Sequence, residues 1–196
     1  MQRRVWTPFR RWMSNLAPLL AFAIVPPIAL YLDSTGRVIA GLVVWACFPP
    51  FMWLSLNFLG LLRNGRIRSE MRAKLRSSFP DRMGDAVFVG FARPKYRSLL
   101  HHHEDVGWLV MLPESLEFVG DSLTYSLPKA DVTGVRFAPN VNTLLGLGRW
   151  VSVEARHEGK RVRMLVEPRE RATLLGNFLY AKKLRAQISK WAKSQR

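Results

Sequence analysis

The chain has 196 residues, with 30 Lys and Arg against 14 Asp and Glu, for a formal net charge of +16. That length allows one domain plus something extra. The single cysteine, Cys47, excludes an intrachain disulfide and a cysteine-built metal site. Residues 79–181 hold 13 basic and 12 acidic groups, so the positive charge concentrates instead at residues 1–11, 63–78 and 182–196. A nucleic-acid binder would carry its basic stripe on the folded body. Nucleic acid is therefore not the expected partner, and basic runs beside apolar ones suit an anionic membrane surface.

Residues 1–14 form a basic N-terminus with Arg3, Arg4, Arg10 and Arg11 and no acid. Two uncharged stretches follow, NLAPLLAFAIVPPIALYL (15–32) and VIAGLVVWACFPPFMWLSLNFLGLL (38–62). As helices they would be roughly 27 and 37 Å long at 1.5 Å per residue, against a hydrocarbon thickness of about 30 Å. The connection DSTGR (33–37) is so short that the two must be antiparallel neighbours. Arginines flank the pair before residue 15 and after residue 62, which predicts an integral protein of the cytoplasmic (inner) membrane with both termini on the cytoplasmic side. Trp6, Trp12 and Tyr31 fall near the expected interfaces. FRRW resembles part of a twin-arginine export signal, but a second apolar stretch follows within five residues and no small-residue cleavage site ends the first. Pro26-Pro27 and Pro49-Pro50 predict kinks, in a hairpin that crosses or one that only dips in; a hinge or transport path is the other reading. An ion path usually needs an ionisable group inside the span, and neither stretch has one. The helices could also pair between copies as a homo-oligomer.

RNGRIRSEMRAKLRSSF (63–79) places Ile67, Met71, Leu75 and Phe79 on one helical stripe within a connector over 63–80. Arg63, Arg66, Arg68, Arg72, Lys74 and Arg76 fill the other faces. Such a helix beside a membrane segment is expected to lie in the headgroup plane, with docking of its stripe onto the domain as the alternative.

From residue 86 the pattern alternates, predicting seven strands over 86–92, 106–112, 115–120, 123–128, 131–138, 150–157 and 160–167. Glu158-Gly159 is expected to form the tight turn of the last hairpin. Arg156, Arg161 and Arg163 fall on its polar face. Pro168 suits the first turn of a closing helix whose apolar residues, Leu174 to Trp191, recur at three and four.

Four strands, then three, then a long amphipathic helix, in stretches such as VGWLVMLPESLEFVGDSLTYSLP and GRWVSVEARHEGKRVRMLVE, resemble the pleckstrin-homology (PH-like) superfold, including its GRAM and bacterial relatives, over about residues 86–192. With the preceding hairpin the chain resembles small bacterial membrane proteins that carry such a domain. The resemblance implies a seven-stranded barrel capped by the C-terminal helix, and binding of lipid or protein rather than catalysis. In phosphoinositide-binding members, basic residues on the first two strands and their loop grip phosphates. The matching loop here, ARPKYR, supplies Arg93, Lys95 and Arg97, while the second strand, HEDVGWLVM, supplies no basic residue. Arg93 and Arg97 also have the RxxxR spacing of PilZ domains, which resemble cyclic-di-GMP receptors, although the DxSxxG partner motif is missing.

No phosphate-binding loop, nucleophile elbow, zinc-protease motif or paired cysteines appear, so no catalytic residue, metal or other cofactor is expected. HHHED (101–105) is the one chemical candidate. In a strand, alternate Cα atoms lie roughly 6.6 Å apart, too far for one metal to gather His101, His103 and Asp105. His101, His102 and His103 are instead expected to join Arg93, Lys95 and Arg97 in a ligand or partner rim. The function expected is a non-enzymatic, membrane-anchored adaptor, scaffold or accessory subunit with a protein partner. The alternatives are an anionic-lipid or second-messenger sensor and a transporter subunit.

Overall fold

The computed structural model describes residues 4–78, 80–82, 84, 86–94 and 103–194. Helix α1 (Pro8–Leu16) runs through a short 3₁₀ turn at Ala17–Leu19 into α2 (Leu20–Ser34). The stretch 15–32 is therefore not one helix, and α2 has only 15 residues. After a turn whose Gly36 has φ 77°, α3 (Val38–Leu59) packs back along α2 as an antiparallel hairpin. Both proline pairs lie inside the helices, which continue through them. Asp33 at the hairpin tip reaches Trp45 Nε1 at 3.4 Å. It fits only because Gly41 has no side chain: a Cβ there would stand 1.8 Å from Asp33 Oδ1.

Helix α4 (Asn64–Ser78) follows directly. Seven antiparallel strands come next: β1 (Val87–Ala92), β2 (Asp105–Met111), β3 (Ser115–Gly120), β4 (Thr124–Pro128), β5 (Val132–Ala138), β6 (Trp150–His157) and β7 (Lys160–Pro168). They form one sheet in the order β4-β3-β2-β1-β7-β6-β5. The sheet is open, since β4 and β5 are its edges, so the expected barrel is not closed. A four-strand and a three-strand meander are joined where β1 pairs with β7, for example Gly90 with Glu167. In the β6–β7 hairpin His157 pairs with Lys160, and Glu158 (φ 49°) and Gly159 (φ 76°) make the two-residue turn. Two positive φ values are what a type I′ turn requires.

Helix α5 (Leu174–Lys193) covers one sheet face. Its Ala181, Leu184 and Ile188 are fully buried against Val89, Phe91, Phe118, Val153 and Val166. Pro168 ends β7 instead of opening this helix. The chain stays extended because Arg169 N donates to Phe88 O and Glu170 Oε1 accepts from Phe88 N. Thr173 then caps the helix by accepting from Gly176 N.

The opposite face of β1–β3 is also apolar, with Phe88, Val106, Trp108 and Val119, and α4 covers it with Ile67, Met71 and Leu75. Of the stripe assigned above to a membrane surface, Ile67, Met71 and Leu75 are thus buried in the protein, each 3% exposed or less, and Phe79 lies outside the described residues. A sheet that is apolar on both faces must be covered on both. β1, buried along its whole length, is the central example. Over β5–β7 the outer face carries polar side chains, Arg136, Glu154 and Arg163 among them.

Candidate functional site

The hairpin joins the sheet through a buried polar junction. Asn57 of α3 accepts from Leu175 N at 2.8 Å, satisfying an amide in the first turn of α5. Trp53 Nε1 donates to Leu145 O at 3.0 Å, and Leu61 packs with Leu147 and Leu174. At the start of α4, Asn64 Nδ2 donates to Arg169 O (2.8 Å) while Arg169 Nε donates to Asn64 Oδ1 (2.9 Å). Arg169 is 2% exposed, and burial pulls its pKa down to about 10, partly offset by Glu167, so it is cationic at neutral pH. Its Nη1 lies 3.4 Å from His103 Nδ1, and Trp6 lies 5.0 Å from the guanidinium. His103 Nε2 meets Glu167 Oε2 at 2.9 Å, and its ring stands edge-on to Trp150. Gly90 makes the room, because a Cβ there would lie 2.0 Å from His103 Cδ2. Glu167 Oε1 also accepts from Asn140 Nδ2 and Arg149 N, tying in the loop before β6.

His103 is therefore not part of a rim. It is buried, because the Glu167 carboxylate lies inside. Its neighbours go elsewhere. Glu104 pairs with Arg93. Asp105 accepts from the amides of Val106, Ser122 and Leu123 at 2.8 Å each and so builds the β3–β4 turn. Burial pushes the Asp105 carboxyl up, while those amides pull it back only in part. Among the described residues no three His, Cys, Asp or Glu side chains gather to hold a metal. Arg93 is exposed; Lys95, Arg97, His101 and His102 lie outside the described residues.

A basic cleft of about 820 Å³ opens between the N-terminal segment and α4, lined by Arg4, Arg10, Arg63, Arg66 and Lys74 around Glu70. Its walls are fixed locally. Asp121 Oδ2 accepts from Val5 N and Trp6 N, both at 2.8 Å, and Lys74 Nζ donates to Asp121 Oδ1 at 2.8 Å. Thr7 Oγ1 accepts from Arg10 N at 3.3 Å, capping α1 with Pro8 in its first turn. Arg10 forks onto Glu70 at 2.6 and 3.1 Å, and Arg66 reaches the same carboxylate at 3.1 Å. The hydrogen bond from Arg10 holds the Glu70 carboxyl below its ordinary range and raises Arg10 in turn. Arg63, in the left-handed region at φ 62°, ends the turn between α3 and α4 and is exposed at the mouth. After Glu70 takes one charge and Asp121 another, the cleft keeps a net excess of positive charge, a setting for an anionic group. It lies at the hairpin base, since α1 leads into α2 and Arg63 follows α3.

Of the other basic residues on α4, Arg68 pairs with Glu170, Arg72 lies over Trp108 at 5.1 Å, and Arg76 is exposed. In the sequence alone Arg4 and Arg10 stand only as topology charge. The contact of Arg10 with α4, and the clamp by Asp121, depend on residues 47 to 116 positions apart, which linear spacing does not reveal.

For Asp121, burial would raise the pKa, but Lys74 and the two amides outweigh it and the net shift is downward. A depressed carboxyl stabilises the fold fully above its unfolded value, near 4, and loses that contribution as pH falls through the folded value. Acidification from pH 6 to pH 3 should therefore lower the Tm of the unmodified chain more than that of Asp121→Asn. Equal slopes in parallel melts would remove Asp121 as the clamp.

No protein-family model matches the chain, and no curated protein matches it.

Proposed function

We propose that the chain is a non-enzymatic adaptor or accessory subunit, a PH-like domain held at the cytoplasmic face of a membrane by the α2–α3 hairpin. One observation carries this: the hairpin turns an apolar surface outward, with Ile24, Leu30, Ile39, Leu42, Val43 and Phe58 each more than half exposed. A continuous apolar patch of that size needs a cover. Among the described residues the helical stretch beginning at Val38 is long and apolar enough to cross a membrane, and α2 is shorter. The last two turns of α3, through Trp53 and Asn57, and Leu61 in the turn after it are engaged by the domain. That leaves two free arms of about 15 residues, or roughly 22 Å, short of the ~30 Å hydrocarbon thickness. Arg37 at the tip can extend its side chain to the far headgroups, and the bilayer thins locally to meet it.

Other features agree with this placement. Leu144 (96% exposed) and Val141 (59%) project from the loop that Trp53 holds against the hairpin. Phe9 and Trp12 of α1 are 67% and 51% exposed at the same end. The basic cleft would then sit at headgroup level, where each cation near an anionic leaflet contributes about 1 kcal/mol. Four-plus-three strands with one helix across a sheet face support the PH-like reading. Restriction to two dimensions strengthens weak encounters with membrane partners.

The adaptor reading predicts that defined membrane proteins co-purify in detergent with the full chain and are lost when residues 86–196 are deleted while the hairpin stays in the membrane. Unchanged co-purification would refute it. The cleft favours a second reading, a sensor of anionic headgroups. Arg63→Gln with Arg66→Gln should then lower retained anionic lipid roughly 30-fold, at about 1 kcal/mol per residue, measured by lipid mass spectrometry on the purified chain. Unchanged lipid would exclude it.

A further inference from the structure

The outer face of β5–β7 carries a second basic surface, unconnected with the first. Here Arg136, Arg156, Arg161 and Arg163 surround Glu154 in a groove of about 670 Å³ that Pro94 closes at one side. Glu154 is shared by Arg136 (2.5 Å) and Arg163 (3.1 Å). Arg156 and Arg161 are direct cross-strand partners, and among the described residues neither has an ion pair. Like charges placed opposite each other in an antiparallel pair destabilise it. Four guanidiniums around one carboxylate therefore leave the groove with a net excess of positive charge. Guanidiniums are the groups best shaped to grip carboxylates two-pronged.

The position of the groove selects among anions. The hairpin meets the domain beside Leu147, at the Trp150 end of β6. Arg156 lies six residues further along that strand, roughly 20 Å at 3.3 Å per residue. That exceeds twice the ~8 Å screening length at physiological salt, so Arg156 and its cross-strand partner Arg161 are out of range of a lipid surface at the hairpin base, while Arg136, opposite Ser152, lies nearer to it. We propose that this groove docks an acidic, carboxylate-rich segment of a partner protein. The proposal deepens the adaptor reading and rests on it for the occupant being a protein.

The test uses the full chain in non-ionic detergent at low ionic strength, with a fluorescent 12-residue peptide of alternating Glu and Ser as probe. Anisotropy titration should show binding that weakens tenfold or more in the Arg156→Gln/Arg161→Gln variant and is unchanged in Arg63→Gln/Arg66→Gln. Both groove arginines are exposed, so the first variant should fold. Arg156→Glu, which converts the like-charge pair into an ion pair, should raise Tm while weakening the peptide. Equal peptide affinity in the unmodified chain and the groove variant would overturn the proposal. So would displacement of the peptide by dihexanoyl-phosphatidylglycerol or by pyrophosphate at lower concentration than by unlabelled peptide, which would assign the groove to a lipid or a small phosphate. If the peptide ignores the groove while membrane proteins still co-purify through the domain, this proposal fails and the adaptor reading stands.

Discussion

Replacing Arg169 with methionine should destabilise the protein by roughly 3–5 kcal/mol, the usual cost of removing one partner from a buried charged set. The volume is nearly kept, so the cost comes from what is left behind. Glu167 and His103 are each 6% exposed at the side chain, and Asn64 would lose the group that Oδ1 receives. For a chain of this size 1 kcal/mol corresponds to about 2–4 °C, so Tm should fall by about 6–20 °C. Because Asn64 opens α4, the loss should also loosen the hairpin from the sheet, seen as faster amide exchange across Asn64–Ser78. Arg169→Met combined with Glu167→Gln should cost less than the sum of the two single changes. A fall of less than about 1 kcal/mol, or strict additivity, would contradict the buried junction.

Met71→Asp is the second large effect. Met71 is 2% exposed within the cluster of Trp108, Phe88 and Val119. An unpaired buried charge costs several kcal/mol, whereas Met71→Leu keeps shape and polarity and should cost less than about 1.5 kcal/mol. Thermal melts of both variants, with amide exchange of β2, read the contrast. Were the stripe of α4 lying in a bilayer, Met71→Asp would weaken membrane association and leave the sheet untouched.

The strands were legible because their signals are local. Ser115–Gly120 is bounded by Pro113-Glu114 and by the Gly-Asp-Ser turn, and Glu158-Gly159 supplies the residues a two-residue hairpin needs. The stripe on α4 was equally legible, but its destination was not, since spacing of four looks the same against lipid or a sheet. A signal did exist: VFVGFA and VGWLVM are apolar at both parities, so β1 and β2 required cover on two faces. The break at Ala17–Leu19 is hidden by an unbroken run of uncharged residues, with Pro18 as the only mark. The junction of Asn64, His103, Glu167 and Arg169 had no linear signal, because its members come from three separate segments. HHHED drew attention as a cluster, yet its last three residues serve three different partners.

The central claim, that the hairpin is a membrane anchor, can be read at one atom. Cys47 is the only cysteine, lies near the middle of α3 and is exposed. An environment-sensitive fluorophore on Cys47, with the full chain in liposomes, should emit blue-shifted, be quenched by doxyl groups on lipid chains and be protected from aqueous iodide. Free quenching by iodide with no response to the doxyl lipids would contradict the account.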